Sequence, residues 1–303
     1  MILFTHEATI RHVTPPGHPE RVERIGAVME ALEGLTLDRR EAPPAEDGTL
    51  LRGHPQSYID GIAGAEPHEG IQQLDPDTWM SPGSVEAARR AVGGACAAVD
   101  AVMDGGRAFV AMRPPGHHAE AERSMGFCLF STVALAALHA LEVRGLERVA
   151  VLDFDVHHGN GTQDVLWSEP RVRFATSQQM PLWPGTGEAT ERGAHDQVMN
   201  LPLRPGSGGA EMRRLYEREV LPWLDVYAPA LVLVSAGFDA HEDDPLAGLN
   251  WGDEDFGWIT DRVVEIAEAH AGGRVVSCLE GGYDLGALGR SARIHVERLS
   301  EGT

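Results

Sequence analysis

The run Asp153-Phe154-Asp155-Val156-His157-His158-Gly159-Asn160 brings two carboxylates and two imidazoles into one short stretch. It directly follows Val149-Ala150-Val151-Leu152, an apolar run that reads as a buried strand. The polar groups therefore fall where a strand meets its loop, the usual place for chemistry in open α/β sheets. Asp155 and His157 are two positions apart, so in extended backbone their side chains leave on the same face. A carboxylate and an imidazole converging there suit a borderline divalent metal such as zinc. By itself the run is also open to helix capping and turn chemistry, because Asp and Asn start helices.

Four further clusters obey the same placement. Arg113-Pro114-Pro115-Gly116-His117-His118 follows the apolar run 108–112, and Ser177 with the turn Trp183-Pro184-Gly185-Thr186-Gly187 follows 172–176. Ala236-Gly237-Phe238-Asp239 follows 231–235, and Glu280-Gly281-Gly282-Tyr283 follows 275–279. In a parallel sheet the C-terminal strand ends share one edge. Five strands thus deliver their reactive residues to a single rim.

The elements that must hold this rim are short apolar runs alternating with longer helical patterns. That alternation predicts an α/β fold, a mostly parallel central sheet with helices on both faces. Strands are expected at 2–5, 108–112, 149–153, 172–176, 231–235 and 275–279, and helices at 20–33, 84–103, 132–143, 210–224, 254–271 and 285–299. Ser84 is a candidate helix cap, and Gly272-Gly273 a helix stop. Residues 34–83 read as loop-rich. No repeat or linker divides the chain, so one domain over 1–303 is expected.

Composition narrows the function. No apolar stretch approaches the roughly 20 residues that span a bilayer, and Met1-Ile2-Leu3-Phe4-Thr5-His6 lacks the basic start of a signal peptide. Cys96, Cys128 and Cys278 show no paired spacing and suit buried thiols in a reducing cytoplasm, so a cytoplasmic protein without membrane partners is expected. Asp and Glu number 46 against 25 basic residues, all arginine, for a formal charge of −21. A nucleic-acid partner is disfavoured, because phosphates need a basic surface. The acidity either steers cationic substrates or is a general property of the surface.

Together, Gly17-His18-Pro19-Glu20-Arg21, Arg-Pro-Pro-Gly-His-His, Asp-Phe-Asp-Val-His-His-Gly-Asn-Gly-Thr, Ser-Ala-Gly-Phe-Asp-Ala and Leu-Glu-Gly-Gly-Tyr resemble the histone deacetylase superfamily. Within it the chain looks like the class II-like bacterial amidohydrolases, which have an arginase-like fold and are related to acetylpolyamine amidohydrolases. The resemblance implies Zn2+ (Fe2+ being the alternative) bound by Asp155, His157 and Asp239, with coordination left open for water and an amide carbonyl. Asp239 could instead cap a helix, but Gly237 permits a tight turn that points it inward. It also implies that His118 is general base and then acid, with His117, backed by Asp153, as electrostatic partner. Asn160 stands where class I relatives carry a second Asp; its neutral amide should leave the paired histidine less basic. Tyr283 would donate to the developing oxyanion. His158 reads either as support behind the metal ligands or as packing.

By the same resemblance Gly126-Phe127 and Trp183 line a narrow tunnel for an alkyl chain, although Trp183 could simply be core. His18 and Pro19 would lie on the entrance loop, Arg24 behind the metal, and Leu246 at the rim, where an acidic residue marks polyamine-specific relatives. Asp75 or Asp77 would receive substrate groups or stabilise a loop. Ser177 would join a structural K+ or Na+ site, although Gln178-Gln179-Met180 departs from the family pattern there. The implied substrate is an acetylated lysine peptide or protein, or an acetylated small amine. A polyamine or small-metabolite amidohydrolase, and a non-catalytic zinc-containing sensor of acetylated ligands, are the alternatives. A binuclear manganese ureohydrolase would need further Asp residues near the metal loop that the chain lacks. Homo-oligomerisation is left open.

Overall fold

Runs that are almost wholly apolar become the inner strands of an eight-stranded sheet. The computed structural model describes residues 1–301. In chain order its strands are β1 (Ile2–Thr5), β2 (Asp38–Glu41), β3 (Gln72–Gln73), β4 (Trp79–Met80), β5 (Arg107–Val110), β6 (Val149–Asp153), β7 (Val172–Gln179), β8 (Val198–Leu203), β9 (Leu231–Ala236) and β10 (Val275–Leu279). The main sheet has the order β2-β1-β5-β10-β9-β6-β7-β8, parallel throughout, while β3 and β4 form a small antiparallel pair. The last strand, β10, therefore sits in the middle, between β5 and β9.

Alternation along each strand feeds two cores. Val149, Val151, Leu231, Leu233, Val276 and Cys278 pack on one face. Ala150, Leu152, Val232, Val234 and Val275 pack on the other. The first face is covered by α4 (Ser84–Ala101) and α5 (Thr132–Glu142). The second is covered by α1 (Glu23–Ala31), α9 (Asp253–His270) and α10 (Leu285–Ser300). The one polar inward position of β10, Ser277, is satisfied by buried His295 (2.8 Å), whose other ring nitrogen lies 2.6 Å from the Thr260 hydroxyl.

Several elements differ from expectation, each for a visible reason. β2 is exposed along its whole length and β8 contains Asn200 and Pro202, so neither edge strand carries the apolar signal of an inner one. The segment 34–83 also holds α2 (Asp47–Leu50) and α3 (Gln56–Ala65), and the short helix α6 (Asn160–Leu166) follows the loop after β6. Helix α1 starts at Glu23, not residue 20, because Glu20 is drawn into a buried ion cluster. The expected helix 210–224 is α7 (Gly209–Leu215), a π-helical turn at Tyr216–Val220, and α8 (Leu221–Tyr227). Pro222 in the first turn of α8 has no N–H to donate, so the ladder widens just before it. Ser84 does not cap α4: its hydroxyl accepts from Ser81 N (2.9 Å) and faces His12 (2.8 Å), while Glu66 caps the helix by accepting from Val85 N at 2.7 Å.

Candidate active site

The reactive residues leave the C-terminal ends of β5, β10, β9 and β6, the four central strands, with β7 alongside. Asp155 Oδ1 accepts from His157 N, and its Oδ2 from Gly281 N, both at 2.9 Å. Asp239 Oδ1 accepts from Val156 N at 2.9 Å. His157 Nδ1 lies 3.1 Å from a carboxylate oxygen of each. All three residues are buried, with candidate ligand atoms within 4.8 Å of one another. Among the described residues no guanidinium pairs with either carboxylate.

Bare backbone makes this approach possible. A Cβ on Gly237 would stand 2.1 Å from Asp155 Oδ2, and one on Gly281 2.2 Å from Asp239 Oδ2. Gly237 is not in the left-handed region, so close approach, not the expected tight turn, is the reason for glycine there. Two buried carboxylates and an imidazole fit a divalent cation. His117, His118 and Asp155 form a second possible group; its use would consume the free Nε2 of His118.

The tandem histidines are treated oppositely. His117 Nδ1 is 3.0 Å from Asp153 Oδ2, and Asp153 Oδ1 accepts from Asp155 N. Burial disfavours a charged His117, but Asp155, Asp153 and Glu280 overcome it and raise its pKa well above the ordinary value. His118 Nδ1 is 2.8 Å from Asn160 Oδ1. Its pKa is pushed well below the ordinary value by burial and then by the His117 and His157 imidazoles. The Asn160 hydrogen bond raises it slightly, without the full negative charge that a carboxylate at that position would add.

Tyr283 is held from three sides. Its N–H donates to Asp244 Oδ2 (2.7 Å), its ring lies 5.8 Å from Phe127, and the Arg24 guanidinium stands 4.9 Å above it. Among the described residues nothing hydrogen-bonds to its hydroxyl. Burial and Asp239 raise its pKa well above 10, so the hydroxyl stays a donor.

The expected tunnel residues flank this group. Trp183 packs edge-on to His118 (4.7 Å between ring centres) and lies 6.2 Å from His157, at 39% exposure, which excludes a core role. Phe127 packs against Tyr283 and, at 4.8 Å, His18. Both Gly126 and Phe127 have positive φ, and a Cβ on Gly126 would strike His118 and Trp183. His18 bonds through its ring to the backbone oxygens of Glu20 and Asp77, and neighbouring Pro19 is half-buried. Leu246, also half-buried, donates its N–H to Asp244, which places it beside the Tyr283 loop. Asp75 closes a local turn, and Asp77 accepts from Gly126 N at 3.3 Å, so both carboxylates hold loops together. The His158 ring nitrogens face Thr186 and Gln163, a packing role. Ser177 is buried, its hydroxyl 2.8 Å from that of Tyr216.

A family model described as "Histone deacetylase domain" matches residues 18–299. The chain belongs to the histone deacetylase family. It is 43% identical to an uncharacterized protein of Synechocystis over 93% of each chain. It is 41% identical to the histone deacetylase-like amidohydrolase of Pseudomonas aeruginosa, covering 89% of this chain and 74% of that one. A probable deacetylase of Archaeoglobus fulgidus is 36% identical, with coverages of 93% and 81%. Among solved structures, the HD domain of HDA15 superposes with a TM-score of 0.92 at 28% identity, over 99% of this chain and 91% of that one. The protein is thus a deacetylase-family amidohydrolase.

Three residues support this deacetylase-family site, and of these the sequence reading gave a place to Arg24 alone. Glu280 Oε2 accepts from the backbone N–H of Gly116 (2.7 Å) and His117 (3.2 Å), fixing the histidine loop. Asp244 ties Leu246 to Tyr283. Arg24, expected behind the metal, donates to the backbone oxygens of Glu280 and Gly282. Of the other two, only Glu280 had a signal, its position at a strand end. Among the described residues no helix is long and apolar enough to cross a membrane.

Proposed function

We propose that the protein is a zinc-dependent amidohydrolase that releases acetate from N-acetylated primary amines, acetyl-lysine in peptides or proteins above all. One observation carries this reading: the buried Asp155–His157–Asp239 group adjoins two polar atoms without protein partners, His118 Nε2 and the Tyr283 hydroxyl. Zinc held by Asp155, His157 and Asp239 would polarise the amide carbonyl and acidify water. His118, kept neutral, takes the proton of the attacking water at Nε2 and returns it to the leaving amine. His117, kept charged against Asp153, offsets negative charge as it develops. Tyr283 donates to the carbonyl oxygen as it becomes anionic. Phe127 and Trp183 present aromatic faces to an unbranched alkyl chain, which suits a lysine side chain. Ser177, beside the backbone of 153–157, is where a structural K+ or Na+ would bind.

The test is kcat/KM of zinc-loaded protein on an acetyl-lysine peptide and on N-acetylputrescine. A preference of about a hundredfold for the peptide, near 2.7 kcal/mol, is expected, and the reverse preference would make it a polyamine enzyme. Tyr283→Phe should lower kcat by about 100- to 1000-fold. A zinc-loaded Tyr283→Phe protein as fast as wild type would sink the reading.

A further inference from the structure

The ring of His118 is held at Nδ1 by Asn160, whose amide is held in turn by Glu120. Asn160 presents Oδ1 to His118 Nδ1 at 2.8 Å and donates from Nδ2 to Glu120 Oε1, also at 2.8 Å. Two weaker acceptors flank Nδ2, Met125 Sδ at 3.3 Å and the His118 backbone oxygen at 3.4 Å. A carboxylate only accepts, so Glu120 must face the amide NH2, which leaves the amide oxygen for His118. That oxygen also only accepts, so Nδ1 of His118 carries the hydrogen. The lone pair of the neutral ring is then on Nε2, the nitrogen without a protein partner. Glu120 is itself held in a turn, its N–H donating to Arg123 O at 2.9 Å.

We propose that Glu120 is a positioning residue: through Asn160 it fixes the tautomer of His118 that places the basic nitrogen toward the reacting water. The chain Glu120–Asn160–His118 thereby differs from its neighbour His117–Asp153, where the carboxylate touches the ring directly. Interposing an amide transmits the direction of the hydrogen bond while keeping the full negative charge one residue away. The inference rests on His118 being the base.

The arrangement makes an unusual prediction for a double substitution. Asn160→Asp alone sets a carboxylate against the Glu120 carboxylate and breaks the chain. Adding Glu120→Gln lets the glutamine amide donate to Asp at 160, which can again accept from His118 Nδ1. In the zinc-loaded protein we expect Asn160→Asp to lower kcat about a hundredfold with KM little changed, and Glu120→Gln alone about threefold. The double variant should recover at least about tenfold over Asn160→Asp. If the two losses simply multiply, Glu120 has no such role. Nitrogen NMR of 15N-histidine-labelled protein gives an independent readout, with the His118 signals assigned by their absence in His118→Ala. Wild type should show a protonated Nδ1 and bare Nε2, and Glu120→Ala a mixture of tautomers; an unchanged spectrum would overturn the inference even if turnover fell. His118→Ala separates the two layers. If it stays as active as wild type, the base assignment fails and the inference with it. If it is inactive while rescue is absent, only the inference fails.

Discussion

Two clusters of buried charge lie behind the same strand ends, and they are compensated in opposite ways. In the first, the Glu20 carboxylate is sandwiched by Arg113 and Arg24, with His12 alongside. Although burial opposes its charge, Arg113 and its neighbours hold its pKa well below the ordinary value. In the second, among the described residues no guanidinium pairs with the carboxylates of Asp153, Asp155, Asp239, Asp244 or Glu280, and imidazoles pair with the first three alone. Burial pushes Asp153 up to about 6, and Asp244 and Glu280 up to about 7, with Asp239 raised as well by burial and Asp155. The chain has arginines to spare and uses them for scaffold. It withholds them from the group where a cation from outside is expected.

This contrast can be broken by experiment. The largest effect is expected from Asp239→Asn. Metal analysis should show zinc falling from about one per chain to near zero, and turnover should drop by at least about 10⁴-fold, some 5.5 kcal/mol of transition-state stabilisation. Glu20→Gln should do the reverse. It leaves two buried guanidiniums short of a partner and should cost about 3–5 kcal/mol in urea unfolding, with bound zinc per folded chain unchanged. If Glu20→Gln also emptied the metal site, the two clusters would have to be regarded as one.

A neutral buried group supplies a reference between them. Burial lowers the pKa of His295 to about 3, against 6.5 for the free side chain. The unfolded chain therefore binds the proton more tightly than the folded one. The stability contribution is constant above pH ~6.5, declines as pH falls, and levels off below about pH 3. The full difference is about 5 kcal/mol, and the wild-type slope of stability against pH should exceed that of His295→Gln between those limits. The smallest effect separates the clusters most sharply. In metal-free protein Asp239→Asn should raise stability by about 1 kcal/mol, because burial and the Asp155 charge together outweigh the support that His157 gives the Asp239 carboxylate. Calorimetry of chelator-treated protein would measure it, and a destabilised variant would show the acidic cluster to be balanced already.

The same contrast explains what could be read from the sequence. Asp155, His157, Asp239 and the tandem histidines were legible because each follows an apolar run whose identity as an inner strand is unambiguous. Edge strands β2 and β8 were not, since β2 is exposed along its whole length and β8, although mostly buried, is interrupted by Asn200 and Pro202. Asp244 and Arg24 were harder still. Asp244 acts on a backbone N–H 39 positions away, and Arg24 on carbonyls 256 and 258 positions away. Such contacts leave no local pattern, because any polar side chain of the right length reads the same. Gly237 was noticed for the wrong reason, as its neighbours in space are remote in sequence.

The placement of β10 has a consequence for how the molecule is assembled. The last of the eight strands in chain order fills the middle of the sheet, so β2-β1-β5 and β9-β6-β7-β8 stay separate blocks until it arrives. Synthesis proceeds from the N-terminus, so a nascent chain exposes two facing, unpaired strand edges until residues 275–279 emerge. Losing β10 would therefore divide the sheet, not trim it. The Tyr283 donor directly follows that closing strand, so catalytic competence waits on closure of the sheet.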